Sequence, residues 1–318
     1  MSFRTFDETS DWNAAFDLWR ASFGDTWPLT PEQLQRVLRP QLERPDGLHL
    51  IAECEGELVG LVGATIIAGS EGARNGCLSL LMVHPRHRRK GVGSALHQAA
   101  LEFFHDHDIH EIMLGSGSPG FWQGVPCNMP DAAAFFQRQG WMMGGRSIDM
   151  VQHLQGYRMP GELRARKGLE NIALRPVNPS ETPEMLDFVG REFPGWLGAY
   201  QGIAELGDLQ DIVIGRENDG PIIASIIVYT SASHPSRTDV LWTELLGADV
   251  GAFGCVGVAE SQRGRGLGLL LVGEASQILS LRGVRNCFVH WTHLESFYAR
   301  AGYTTWREYS MCRRGLVF

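Results

Sequence analysis

Two stretches of the chain, HPRHRRKGVGSAL at residues 84–96 and AESQRGRGLGLLL at residues 259–271, contain the same pattern, Arg-x-x-Gly-x-Gly-x-x-Leu. Each stretch lies between an apolar run typical of a buried strand and a run with helical spacing of apolar residues. One glycine-rich turn of this kind is often a simple chain reversal, but two copies in matching contexts indicate a duplicated domain. The sequence therefore predicts a repeated strand–loop–helix unit.

The glycines of this pattern predict an anion-binding loop. Where the backbone turns tightly, glycine leaves consecutive N–H groups pointing outward at a helix N-terminus, and such a group of donors binds phosphate or pyrophosphate. Basic side chains beside the loop add long-range attraction for the same anion. The predicted binding residues are Arg88, Arg89, Lys90, Gly91, Val92, Gly93 and Ser94 in the first copy, and Arg263, Gly264, Arg265, Gly266, Leu267, Gly268 and Leu269 in the second.

Two common phosphate-binding motifs do not fit either copy. A dinucleotide-binding fingerprint needs Gly-x-Gly-x-x-Gly in the first strand–helix unit of a Rossmann fold, and neither loop has this spacing. A Walker loop needs Gly-Lys followed by Ser or Thr, which neither loop contains.

A second repeated pattern follows each loop. SFYARAGY at 296–303 and AFFQRQGW at 134–141 both predict a short helix that ends in glycine and an aromatic residue. In its loops and in these helices, the chain resembles the acyl-CoA-binding GCN5-related N-acetyltransferases (GNATs). The resemblance implies an α/β (α+β) fold with two GNAT-like domains, each a mixed, mostly antiparallel twisted sheet flanked by helices. We expect the domains at residues 1–160 and 161–318, with a Pro- and Gly-containing linker near 155–170.

The resemblance also implies a co-substrate and a chemistry. It implies acetyl-CoA as the acyl donor, with no metal, and a motif strand whose backbone binds the pantetheine arm. A tyrosine on the short second helix commonly protonates the leaving thiolate, and Tyr298 occupies that place, whereas Phe136 occupies it in the first half. Since phenylalanine has no proton to donate, we expect the C-terminal half to be catalytic. The implied pantetheine-binding residues are Leu81, Met82 and Val83, and Val256, Gly257 and Val258.

The base that takes the amine proton is open between three candidates. Glu244 lies in LWTELLG, a segment expected to run beside the second motif strand. His290 ends the strand before Tyr298, and a histidine with a near-neutral pKa suits proton removal. A chain of water molecules is the third possibility.

Aromatic residues suggest where an acceptor binds. The insertion GSGSPGFWQGVPCNM at 115–129 carries Phe121 and Trp122, whose faces either stack on a sugar or fill the gap between the domains. Trp196 in FPGWLGAY has the same two readings, acceptor cleft or packing. PGFWQGVP followed by AAFFQRQGW also resembles the acetyltransferase portion of some β-N-acetylglucosaminidase-like proteins. This likeness suggests an amino sugar among the small-molecule amines that are candidate partners.

Composition limits the class of protein. The net charge of −8 over 318 residues argues against a nucleic-acid partner. The six cysteines show no metal-site spacing. An acidic, polar N-terminus and the lack of a long apolar run argue against secretion or a membrane partner, so we expect a cytoplasmic protein. Single-domain relatives often form homodimers, and the internal duplication would replace such a dimer within one chain. We therefore expect a monomer.

Three functions are consistent with these observations. The first is acyl-CoA-dependent N-acetylation of a small amine, with the C-terminal half catalytic. The second is a non-catalytic acyl-CoA-binding or sensing protein. The third is nucleotide binding unrelated to coenzyme A.

Overall fold

The chain divides into two compact units, which we call the N-terminal unit (Met1–Ser147 and Arg307–Phe318) and the C-terminal unit (Ile148–Trp306). A computed structural model describes residues 1–44, 46–68, 73–115, 121–164, 168–234, 236–237 and 240–316. The units differ from the contiguous division at 160/161, because residues 148–160 belong to the C-terminal unit and residues 307–318 to the N-terminal unit. The reason is backbone pairing: residues 148–153 pair within the C-terminal sheet, and residues 309–315 pair within the N-terminal sheet.

The N-terminal unit begins with a strand and two helices, and its motif strand precedes its longest helix. Its elements are β1 (Ser2–Thr5), α1 (Trp12–Phe23), α2 (Pro31–Leu42), β2 (Gly47–Cys54), β3 (Glu57–Ala68), β4 (Arg74–Val83), α3 (Val92–Asp106), β5 (Glu111–Leu114), β6 (Val125–Pro126), α4 (Pro130–Arg138) and the first half of β7 (Met142–His153).

The N-terminal sheet has the order β1-β2-β3-β4-β5, followed by residues 313–315 of the last strand. Neighbouring strands are antiparallel, except that β4 and β5 pair in parallel. Helix α3 packs on this sheet through Leu96, Ala100 and Phe104, which are buried with Val62 of β3 in the core. The connection from β4 through α3 to β5 is therefore the crossover that a parallel strand pair requires.

The C-terminal unit repeats this plan. Its elements are the second half of β7, α5 (Gly161–Arg164), β8 (Ile172–Pro176), α6 (Thr182–Glu192), α7 (Leu197–Glu205), β9 (Ile212–Glu217), β10 (Ile222–Tyr229), α8 (Thr243–Leu246), β11 (Val250–Val258), α9 (Leu267–Leu281), β12 (Asn286–Thr292), α10 (Glu295–Ala299) and the start of β13 (Thr304–Gly315).

The C-terminal sheet has the order β8-β9-β10-β11-β12, followed by residues 148–153. Strands β11 and β12 pair in parallel, and the other neighbours are antiparallel. Helix α9 is apolar on most sides and buries Leu267, Leu271, Val272 and Leu279. The predicted fold, two GNAT-like domains each built on a mixed, mostly antiparallel sheet with flanking helices, is confirmed.

Disulfides, metal sites and membrane-spanning helices are all absent from the described residues. The six cysteines, all of them described, form no disulfide. Across the described ranges, no group of three or more His, Cys, Asp or Glu side chains is arranged to hold a metal ion. Of the helices in those ranges, none combines the length and the apolar character needed to cross a membrane.

Candidate functional site

The two glycine-rich loops have the same backbone conformation. Arg89 and Gly264 occupy equivalent positions with φ of 63° and 82°, and Gly91 and Gly266 do so with φ of 85° and 91°. The second pair forms the N-caps of α3 and α9. A Cβ atom added at Gly91 or Gly264 would meet nothing within 4 Å. Each loop therefore presents an open surface at the N-terminus of a fifteen-residue helix, where a phosphate is favoured.

The last glycine of each pattern has a packing role. A Cβ atom on Gly93 would lie 3.4 Å from Val83 and 3.6 Å from the ring of Phe135, and one on Gly268 would lie 3.4 Å from Phe297. Phe135 and Phe297 are themselves equivalent residues of the short helices α4 and α10. The two sequence landmarks of each half are therefore in contact, and small residues here let the helices approach.

The first arginine of each pattern is bound to its own strand. Arg88 Nε donates to the carbonyl oxygen of Val83 at 3.1 Å, and Arg263 Nε donates to that of Val258 at 3.3 Å. These bonds fix the loop to the end of the motif strand. Both guanidinium groups remain exposed, so they retain long-range attraction for an anion.

Arg265 is an exception among the predicted cations. Its guanidinium forms an ion pair with Glu217, with Nη2 2.7 Å from Oε1. Lys90, at the equivalent position of the first loop, is exposed, as is Arg89. The first loop is therefore more basic than the second, where part of the charge is compensated.

Each motif strand separates from its parallel neighbour. Among the described residues, the pairing of β4 with β5 ends at Leu78 and Leu114, and the pairing of β11 with β12 ends at Ala252 and Phe288. The predicted pantetheine-binding residues follow these points and lead to the glycine loops. They are half-buried, apart from Met82 and Gly257, which are buried: Leu81, Met82 and Val83 in the N-terminal unit, and Val256, Gly257 and Val258 in the C-terminal unit.

The opening in the C-terminal unit is bordered by two residues with a rare backbone conformation. Cys255 on β11 has φ of 53°, and Trp291 on β12 has φ of 55°. The register of both strands shifts at these positions. The Trp291 N–H donates to the buried carboxylate of Asp149 at 3.1 Å. A non-glycine residue keeps this strained conformation only where the surrounding structure holds it, and within strands such residues are often found at functional sites.

Tyr298 lies beside this opening. It is buried on α10, close enough to Cys255 for the thiol to affect its ionisation, and it hydrogen-bonds with Thr292. Burial raises the pKa of Tyr298 to about 12. The phenol is therefore protonated at neutral pH. Phe136 is buried at the equivalent place in the N-terminal unit, so the two units differ here by one hydroxyl group.

Neither proposed base has the expected properties. Burial lowers the pKa of His290 to about 4, so the imidazole is neutral but a weaker base than the near-neutral group that we expected. Glu244 is exposed on the one-turn helix α8, which leads into β11 at the end opposite the glycine loop. Its role as the base stays a prediction.

Phe121 and Trp122 do not present exposed faces. Both are buried, and Trp122 packs against Trp19 with centroids 5.6 Å apart and against Trp27 at 5.1 Å. The prediction of exposed, sugar-stacking rings is therefore wrong, because aromatic residues of α1 and the following segment cover them. The remaining part of the insertion, residues 116–120, lies outside the described residues.

Trp122 also forms part of an apolar cleft between β4 and β5. The cleft has a volume of about 60 Å³. Its wall includes the apolar residues Phe23, Leu78, Leu81, Leu114, Met129 and Phe136.

Trp196 is the aromatic candidate that remains accessible. It is half-buried and stacks on Phe193, with ring centroids 4.6 Å apart and an interplanar angle of 19°. Phe193 in turn lies over the backbone of Gly257, where a Cβ atom would be 2.6 Å from the ring. The aromatic pair is thus positioned against the C-terminal motif strand.

One contact at the site has no signature in the local sequence. The hydroxyl of Tyr200 donates to the carbonyl oxygen of Cys255 and lies 2.8 Å from Ser225 Oγ. Tyr200 belongs to the segment FPGWLGAY, but its partners lie 25 and 55 positions away in the sequence. A pattern of spacing cannot reveal such a contact.

Comparison with known proteins gives the same architecture. The sequence model of the acetyltransferase (GNAT) family matches residues 12–141. No curated protein sequence matches the chain significantly.

Solved structures match over nearly the whole chain. The GCN5-related glucosamine N-acetyltransferase region of a fungal multi-domain GH3 β-N-acetylglucosaminidase is 37% identical, with a TM-score of 0.92 over 98% of this chain. The chain spans 38% of the length of that protein. A GCN5-related N-acetyltransferase from Sphaerobacter thermophilus (19% identity, TM-score 0.72, covering 99% of this chain and 95% of the other) shares the fold. A tandem GNAT protein from the clavulanic acid biosynthesis pathway (16% identity, TM-score 0.68, covering 99% and 98%) does so too.

Proposed function

The chain belongs to the GNAT superfamily as a protein with two such domains, and we propose that it transfers an acetyl group from acetyl-CoA to the primary amine of a small molecule. The observation that carries this proposal is the C-terminal unit itself. There, an open glycine loop follows the motif strand β11, the pairing of β11 with β12 ends at Ala252, and the buried phenol of Tyr298 lies on α10 after β12.

The loops suit the diphosphate of coenzyme A. Their N–H groups stand at the N-termini of α3 and α9, with open space at Gly91 in the first loop and at Gly264 in the second. The part of β11 beyond Ala252, where its pairing with β12 ends, is the proposed source of backbone groups for the amides of a pantetheine arm. Acetyl-CoA supplies the activated acyl group as a thioester.

The C-terminal unit is the proposed catalytic one. The amine nitrogen attacks the thioester carbonyl, a C–N bond forms, and the C–S bond breaks, with its electron pair leaving on sulfur. In this proposal Tyr298, protonated because its pKa is raised to about 12, donates a hydrogen bond or proton to that sulfur. Phe136 has no proton to donate, so the N-terminal unit cannot assist the leaving group in this way.

The amine proton leaves through water in this proposal. An amine accepts no acyl group while protonated, because an ammonium ion has no lone pair. His290, with a pKa of about 4, and the exposed Glu244 at the far end of β11 do not favour direct removal by either side chain. Water molecules in the opening provide a route that needs no strongly placed base.

The proposed acceptor is an amino sugar such as glucosamine. The supporting likeness is the 37% identity to a region described as a glucosamine N-acetyltransferase, over 98% of this chain. The half-buried ring of Trp196, stacked on Phe193, offers an aromatic surface to a sugar face near the C-terminal motif strand.

A non-catalytic acyl-CoA-binding function suits the N-terminal unit. Its loop has the same conformation as the C-terminal loop and carries more uncompensated basic groups, while its cleft is apolar and contains Phe136. We propose that this unit binds acyl-CoA without transferring the acyl group.

Release of free thiol from acetyl-CoA tests the function as a whole. The assay is run with glucosamine, other amino sugars, polyamines and amino acids as acceptors, and product mass identifies the N-acetyl group. Glucosamine-dependent thiol release is the expected result. Binding of acetyl-CoA in calorimetry with no acceptor-dependent thiol release would favour the non-catalytic function for the whole chain.

A further inference from the structure

Tyr200 is a fully buried tyrosine whose hydroxyl binds the bulge in β11. The hydroxyl donates to the carbonyl oxygen of Cys255 at 3.3 Å and lies 2.8 Å from the hydroxyl of Ser225. Ser225 lies on β10, opposite Gly257 of β11. The contact therefore joins helix α7 to both strands at the place where their pairing is irregular.

The bulge determines how β11 continues toward the glycine loop. The register between β10 and β11 shifts between Ser225 and Ile227, and Cys255 adopts φ of 53° there. A bulge bends its strand and redirects the side chains around it. A backbone carbonyl inside the protein needs a donor. For Cys255, Tyr200 supplies that donor.

The same bulge lies next to the proposed acid. Burial is the main cause of the raised pKa of both Tyr200 and Tyr298, and the nearby thiol of Cys255 is the second cause in each case. The thiol therefore lies near both phenols. The pairing of β11 with β12 ends at Ala252, three residues before Cys255. The bulge is therefore located where the strands begin to open and where the thioester would meet Tyr298.

The N-terminal unit lacks the serine of this arrangement. Its motif strand also has a bulge, between the residues that pair with Gly63 and Ala64. Met82, equivalent to Gly257, pairs with Leu61. Leu61 therefore occupies the position of Ser225 and has no hydroxyl group. The polar contact is thus a feature of the proposed catalytic unit.

We propose that Tyr200 is a positioning residue for acyl transfer: its hydroxyl fixes the Cys255 bulge and thereby the alignment of the bound thioester with Tyr298. This inference rests on the proposed function, in which the C-terminal unit is catalytic. A residue with this role affects kcat more than binding, since the loop that binds the diphosphate lies beyond the end of β11.

The test is Tyr200→Phe, which removes the hydroxyl and keeps the ring. The expected result is a loss of tenfold or more in kcat, with KM values for acetyl-CoA and acceptor within threefold of wild type. Tyr303→Phe is the matched control, because Tyr303 is equally buried in this unit and its hydroxyl lies 2.8 Å from Ser276 Oγ on α9. We expect its kcat to stay within twofold. If Tyr200 has only a structural role, Tyr200→Phe lowers the melting temperature and leaves kcat of the folded protein unchanged, as in the Tyr303→Phe control.

Two further variants separate the possible failures. Wild-type kcat in Tyr200→Phe, when Gly266→Glu has abolished turnover, overturns the positioning role and leaves the proposed function intact. Full turnover in Gly266→Glu overturns both. If Tyr200→Phe does not fold, Ser225→Ala is measured instead. It should lose about threefold in kcat with unchanged KM, and an unchanged kcat overturns the role.

Discussion

Arg265 and Glu217 form an ion pair in the second glycine loop, with Nη2 2.7 Å from Oε1. The carboxylate compensates a cation that the sequence pattern assigns to the cofactor. The guanidinium lowers the pKa of Glu217, so the carboxylate is charged at neutral pH. The two loops therefore share a backbone conformation but differ in net charge.

This difference predicts the effect of Glu217→Gln. Removing the carboxylate leaves Arg265 uncompensated, so acetyl-CoA should bind the C-terminal loop about two- to fivefold more tightly, the range expected for one exposed ion pair. Calorimetry in a Gly91→Glu background, which blocks the other loop, measures this site alone. Glu205→Gln, at an exposed position of α7, is the control and should leave the affinity unchanged. Weaker binding in Glu217→Gln would mean that the pair orders the loop rather than competing with the ligand.

Blocking each loop in turn tests which unit performs the chemistry. Glutamate at Gly266 places a negative charge and a side chain in the open phosphate-binding surface and should abolish turnover. Gly91→Glu should retain most of it, because the N-terminal unit is proposed only to bind the cofactor. Both positions have φ near 90°, which strains any L-residue by about 1–2 kcal/mol.

Gly207→Glu controls for that strain. Gly207 lies in the same unit as Gly266, with φ of 78° and nothing within 4 Å of an added Cβ atom, but it follows α7 and belongs to neither glycine loop. Thiol release by this variant should equal that of wild type. Equal losses from Gly91→Glu and Gly266→Glu would contradict the assignment of catalysis to the C-terminal unit.

The sequence predicted the features that are local. The loops, their strands and helices, and the equivalence of Tyr298 with Phe136 all depend on residues close together in the chain. Both copies show the same backbone angles, including those of Arg89 and Gly264, which the shared pattern does not itself specify.

Features made by distant residues were not predictable from spacing. The exchange of residues 148–160 and 307–318 between the contiguous halves depends on which strand edge each segment pairs with. The burial of Trp122 depends on aromatic residues of α1, about 100 positions earlier. The pKa of His290 depends on burial, which a single residue in a sequence does not reveal.

Tyr298→Phe tests the proposed acid. The variant should lower kcat by about a hundredfold or more, as expected for loss of general acid catalysis, and leave acetyl-CoA affinity within twofold. Because the pKa of Tyr298 is about 12, the ratio of wild-type to variant kcat should be constant from pH 6 to 9. A ratio that falls through neutral pH would point to a different proton donor.

The same pKa predicts a stability change at high pH. The unfolded phenol ionises near pH 10 and the folded one near 12, so the unfolded state releases its proton first. Wild-type stability should therefore decline as pH rises from 10 to 12. Tyr298→Phe should show a smaller decline in the urea midpoint over that interval.

Trp196 and Trp122 should respond differently to truncation. Trp196→Ala should raise KM for an amino sugar about threefold or more, since it removes the accessible stacking surface. Trp122→Ala should instead destabilise the N-terminal unit by about 3–5 kcal/mol, the usual cost of removing a buried tryptophan, with the acceptor KM unchanged. Steady-state kinetics and thermal unfolding of both variants provide the comparison. A raised acceptor KM in Trp122→Ala alone would place the acceptor in the N-terminal unit.

Buried histidines make the N-terminal unit sensitive to acid. His97 is buried on α3, accepts a hydrogen bond from Trp141 Nε1 at 2.8 Å, and has its pKa lowered to about 4 by burial and by Arg314. Its unfolded pKa is near 6.5, so between pH 6.5 and 4 the unfolded state binds a proton that the folded state excludes. Stability should fall over that range by about 3 kcal/mol from His97.

His97→Gln tests this contribution. This variant should be less stable than wild type at pH 7. Because glutamine retains an acceptor for Trp141 but does not titrate, the variant should also lose less stability than wild type between pH 7 and 4.5. His105→Gln, an exposed position on the same helix, is the control and should keep the wild-type pH dependence. Urea unfolding at both pH values measures the difference. An unchanged loss in His97→Gln would assign the acid sensitivity to other buried groups, of which His49, also with a pKa of about 4, is the first to replace.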